Sequence, residues 1–110
     1  MKTSELTKGE RLMIQRRRDN RSQSEMATFL GVSLYRYRLW EAGEGLADAP
    51  LLALGRLRDF EACVIRRRRA GVDAKELAQE LNVSRWWLTQ MEYGQAPADR
   101  LVSYWQKQAA

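Results

Sequence analysis

Two stripes of side chains carry the chemistry this chain can do. They are Leu34, Tyr35, Arg38 and Leu39, and then Arg85, Trp86, Thr89 and Gln90. Each follows a spacing near i, i+1, i+4, i+5, which puts its members on one face of a helix. Guanidinium, amide, phenol and hydroxyl groups on such a face hydrogen-bond to base edges and phosphate. A stripe of this kind fits a major groove about 12 Å wide. Covalent chemistry finds no footing. The 110 residues contain no histidine and a single cysteine, Cys63. Ser–His or Cys–His catalysis, most metal sites and an internal disulfide are thereby excluded. Glu25, Glu41, Glu76 and Glu92 have no spacing suited to acid–base work and read as structural carboxylates. The expectation is a protein that is not an enzyme, with no cofactor, metal or small-molecule ligand.

The stripes sit inside a repeat with an offset of 51 residues. The run Ser22-Gln-Ser-Glu-Met-Ala-Thr-Phe-Leu-Gly-Val-Ser33 lies over Asp73-Ala-Lys-Glu-Leu-Ala-Gln-Glu-Leu-Asn-Val-Ser84 without a gap. Outside these runs, Arg16, Arg17, Arg18, Glu41, Gly43 and Asp48 meet Arg67, Arg68, Arg69, Glu92, Gly94 and Asp99. Internal repetition of this kind governs the fold reading.

Only two prolines and no alternating β-branched run point to an all-α protein. The first helix is expected over residues 8–19. Ser22 and Glu25 form a capping box for the second, which carries Met26, Ala27, Phe29 and Leu30 and stops at Gly31. Ser33 caps the third, which ends near residue 42, before Gly43 and Gly45. Asp48 is expected to cap a fourth, with Pro50 in its first turn. The second copy repeats this order with a box at Asp73 and Glu76, Asn82 in place of Gly31, the cap Ser84, the stop Gly94, and a last helix opened by Pro97-Ala-Asp-Arg. Between copies only Gly55 interrupts residues 51–70, so helix four is expected to run into the next helix or to kink there. No Gly/Ser/Pro linker separates the copies, which predicts rigid or tightly packed units. The reading is two tandem units of about four helices, residues 1–59 and 60–110.

Within each copy, Ala27 and Ala78 are small enough to let two helices cross closely. Val32 and Val83 plug the turn, and Tyr37/Leu88 and Trp40/Met91 face inward. Trp87 is expected half-buried beside Met91, with Trp86 pointing away from the core. Tyr104 and Trp105 are expected under the first helix of the second copy, and Cys63 as a buried small hydrophobe. A formal net charge of +5 and a pI near 9.8 favour a polyanionic partner. The excess is shared: 11 basic against 8 acidic residues up to Asp59, and 8 against 6 after it. No stretch approaches the roughly 18 apolar residues of a membrane span. Met1-Lys2-Thr3-Ser4-Glu5 lacks a signal-peptide core. A cytoplasmic, nucleoid-associated location is expected.

These motifs resemble the lambda-repressor-like or Cro-type helix-turn-helix, the XRE family. Copy one offers Arg16, Gln23-Ser-Glu-Met-Ala27, Leu30-Gly-Val-Ser33 and Trp40-Glu-Ala-Gly43. Copy two offers Arg67, Ala74-Lys-Glu-Leu-Ala78, Leu81-Asn-Val-Ser84 and Met91-Glu-Tyr-Gly94. The likeness covers nearly the whole chain. It implies ion pairs Arg16–Glu41 and Arg67–Glu92, and a double-stranded DNA partner. Gln23 would anchor phosphate and support base contact. Ser33, Leu34, Tyr35, Arg36 and Arg38, with Ser84, Arg85, Trp86, Thr89 and Gln90, would form the DNA-binding faces. The second copy departs from the pattern: Ala74 stands where the family has glutamine, and Trp86-Trp87 is unusual on a groove-entering helix.

The resemblance implies a sequence-specific transcriptional regulator, a small repressor of phage or mobile-element type acting by operator occupancy. The competing reading is a protein-interaction module on the same scaffold: an antiactivator, antitoxin or inhibitor of another regulator. A homodimer through the second domain belongs to either. The arginine runs 16–18 and 66–69 read as solvated, phosphate-touching or helix-dipole-complementing groups.

Overall fold

Thr7, Ser22 and Ser33 stand in extended backbone, and each side chain accepts the amide three residues on at 3.1 Å. These caps open α1 (Lys8–Arg18), α2 (Gln23–Leu30) and α3 (Leu34–Glu41). Glu10 and Glu25 return a bond to the cap amide, completing two capping boxes. The computed structural model describes residues 1–109 and contains helices and no strand among them. The remaining helices are α4 (Asp59–Ala70), α5 (Ala74–Leu81), α6 (Arg85–Glu92) and α7 (Asp99–Ala109). Each of α4, α5 and α6 begins 51 residues after its counterpart. No helix among the described residues is long and apolar enough to cross a membrane.

The chain divides into two compact units, Met1–Leu57 and Arg58–Ala110. This cut falls two residues ahead of the sequence boundary because Asp59 already opens α4 and Arg58 is its cap.

In the first unit the core is Leu12, Met26, Ala27, Tyr37, Trp40 and Ala49. Gly31 takes φ +73°, and the Val32 and Gly31 amides donate back to Ala27 and Thr28. This Schellman ending lets α2 turn into α3 within three residues. Gly9 lies buried where α1 meets the end of α3; a Cβ there would sit 1.9 Å from the Trp40 carbonyl oxygen.

The expected fourth helix of the first unit is absent. Leu46–Asp48 forms one 3-10 turn, and residues 49–58 run without helix. Pro50 disfavours helical backbone at Ala49, whose ψ is 142°, and Gly55 adopts φ +67°. The carbonyls of this segment are taken by basic side chains of α1. Arg11 donates to Leu52 at 3.1 Å, and Arg18 donates to Leu54 at 2.7 Å and to Arg56 at 2.9 Å. Arg18 is thus an internal tie rather than a solvated group.

In the second unit Asp73 caps α5 through the amides of Lys75 and Glu76, so the cap rests on one carboxylate. Asn82 replaces Gly31 at φ +55° and repeats the Schellman bonds. The core joins Cys63, Leu77, Ala78, Leu81, Leu88, Met91, Leu101 and Trp105. Trp105 and the edge-on Tyr104 lie on α7, which packs against α4. Pro97 stands two residues ahead of α7, outside the helix, whereas Pro50 holds Ala49 extended directly after the expected cap Asp48.

Candidate functional site

The pair α2–α3 presents the first stripe. Tyr35 (75% exposed), Arg36 and Arg38 are exposed, while Leu34 and Leu39 are half-buried. Ser33 is exposed, but its oxygen accepts the Arg36 amide. Arg36 reaches Asp48 at 3.5 Å, both largely in water, so the pair adds little stability.

Behind the stripe lies a buried acid. Glu41 accepts Arg16 Nε at 2.7 Å, Arg16 Nη2 at 3.2 Å, Gln23 Nε2 at 3.0 Å and the Tyr37 hydroxyl. Arg16 also donates to the Arg21 carbonyl at 3.2 Å, tying α3 to the turn after α1. Burial, with the hydrogen bond to Glu41, raises the Tyr37 pKa above the ordinary phenol value. Gln23 therefore faces inward at one end; at the other, its Oε1 accepts Arg38 Nε at 3.4 Å. Its amide thus bridges the buried Glu41 and the exposed Arg38.

The second unit keeps the ion pair. Arg67 donates to Glu92 at 2.8 and 3.2 Å and to the Val72 carbonyl at 3.2 Å. Ala74 and Leu88 stand where Gln23 and Tyr37 do, and neither carries a side-chain donor. Arg85, Trp86 and Thr89 are exposed, and Gln90 is half-buried. Ser84 caps the Trp87 amide, and the Thr89 hydroxyl donates to the Arg85 carbonyl.

Trp86 is 65% exposed and Trp87 40%, their ring centroids 6.0 Å apart. Trp87 is thus more open than expected beside Met91. Phe29, carried on α2 with the buried Met26 and Ala27, is exposed beneath the Arg21 guanidinium at 3.9 Å, a cation–π contact.

Two structural residues escaped the sequence reading. Gly9 was one, since its need arises only from the approach of the Trp40 backbone. Tyr37 is the other: the sequence places its ring in the core, while the partner of its hydroxyl, Glu41, lies four residues on along the same helix. No group of three or more His, Cys, Asp or Glu among the described residues is placed to hold a metal.

The geometry defines an all-helical protein with two pairs of helices joined by short turns, each backed by a buried glutamate paired with a part-buried arginine. No protein-family model, curated protein or solved structure matches the chain.

Proposed function

We propose that the chain is a sequence-specific double-stranded DNA-binding regulator, made of two tandem lambda-repressor-like units and acting as a repressor by occupying an operator. One observation carries this reading. The second helix of the first pair exposes Tyr35, Arg36 and Arg38 together, over a rigid hydrogen-bonded base.

Arg36 and Arg38 supply charge for phosphate or a guanine edge, and the half-buried Leu34 and Leu39 suit thymine methyls. The net charge of +5 supports association with a polyanion. The chain performs no covalent step in this reading, and cytoplasmic, nucleoid-associated placement follows from the partner. Selection from a random duplex pool tests it: a defined motif is expected, and equal affinity for all duplexes at about 0.2 M salt removes it.

A second reading rests on Trp86 and Trp87. Together they offer on the order of 250 Å² of aromatic surface, about a third of what one partner gives a standard interface. The exposed charges of α5 and α6, Lys75, Glu76, Glu80 and Arg85, are two of each sign, so two copies of this face meet without net repulsion. In this reading the second unit is a protein-interaction face, and its occupant is a second copy of the chain. Sedimentation of the Trp86→Ala, Trp87→Ala chain decides: loss of a dimer supports the reading, and an unchanged mass at every concentration removes it.

A further inference from the structure

We propose that base reading is confined to the first unit, and that the buried Tyr37 is a positioning residue for it. This rests on the DNA-binding reading above. Tyr37 is fully buried, yet a hydrogen-bonded path leads from it to the surface. Its hydroxyl donates to Glu41, Glu41 accepts the Gln23 amide, and Gln23 accepts the exposed Arg38. With Nε2 held by Glu41, the Gln23 amide has its oxygen directed to the arginine. A guanidinium held this way loses less freedom when it meets a guanine edge or a phosphate.

The repeat supplies an internal control. In the second unit the arginine–glutamate pair and its bond to the following turn persist with nearly unchanged distances. Gln23, Tyr37 and Arg38 are replaced together by Ala74, Leu88 and Thr89. The second unit still builds α4 to α7 around its own core. The second unit thus folds with the ion pair and without the path. Three members of one path missing together mark it as serving something other than folding. Trp87 also stands in the place of Arg36, which leaves Arg85 as the cation of α6. That helix contributes contacts indifferent to sequence.

The test uses the full chain with the duplex selected from the random pool and a scrambled duplex of equal composition. Tyr37→Phe and Gln23→Ala are each expected to lower the affinity ratio between the two duplexes roughly tenfold, the scale of one well-made base contact. The salt dependence should be unchanged, because no charged side chain is removed. Arg85→Ala is expected to weaken both duplexes by the same factor and preserve the ratio. A ratio untouched by both Tyr37→Phe and Gln23→Ala, or one that collapses in Arg85→Ala, overturns the proposal. Should Tyr37→Phe not fold, the half-buried Gln23→Ala carries the test alone. A wild-type chain with no preference at all is a different failure, that of the DNA-reading role itself.

Discussion

At Gly9 a single absent methyl decides how α1 meets α3 in the first unit. A Cβ would stand 1.9 Å from the Trp40 carbonyl oxygen and 2.9 Å from its carbon, and backbone cannot yield as a flexible side chain does. Gly9→Ala is expected to destabilise the unit by about 1–3 kcal/mol or more, read from urea denaturation. Helix propensity alone would predict a gain. The second unit has Phe60 at this place and puts the bare edge elsewhere: a Cβ on Gly94 would sit 2.4 Å from the Phe60 ring. Cys63 gives a second residue-scale expectation. Desolvation pushes its thiol from 9.0 up to about 11. A raised folded pKa means its contribution is complete below pH 9 and is lost as pH rises through about 11. Urea midpoints of wild type and Cys63→Ala should thus run parallel up to pH 9 and converge above it, the wild type losing more.

Among the elements, α1, α2, α3, α5 and α6 were legible because their signals are local: Ser22, Ser33, Asp73 and Ser84 cap, and Gly31 and Asn82 end. Residues 49–58 were not legible in the same way. Their leucines and alanines favour helix, and Asp48 reads as a helix cap ahead of them. Pro50 and the three carbonyl ties from Arg11 and Arg18 override that propensity. Such ties join residues 36 to 41 positions apart, which no local pattern encodes. The predicted ion pairs were legible through the resemblance, whereas the path from Tyr37 to Arg38 became visible only in three dimensions. Arg18→Ala is expected to cost the first unit about 1.5–3 kcal/mol, the scale of hydrogen bonds to a charged group. The helical circular dichroism should be unchanged, since the segment it pins is not helical.

For the whole molecule, the excess of basic residues predicts binding that falls steeply with salt, by a logarithmic slope of about −0.9 for each phosphate neutralised. In the proposed DNA-binding role the charge attracts any duplex, and the preference among duplexes falls to Tyr35, Arg36, Arg38 and the half-buried leucines of α3. The most direct measurement of that claim is competition between the selected duplex and its scrambled counterpart at about 0.2 M salt, for the wild-type chain and for Arg38→Ala. A preference of at least about 10³-fold for the selected duplex is expected, reduced by roughly 5- to 150-fold in Arg38→Ala. Equal competition by both duplexes, or a preference that survives Arg38→Ala intact, would contradict it.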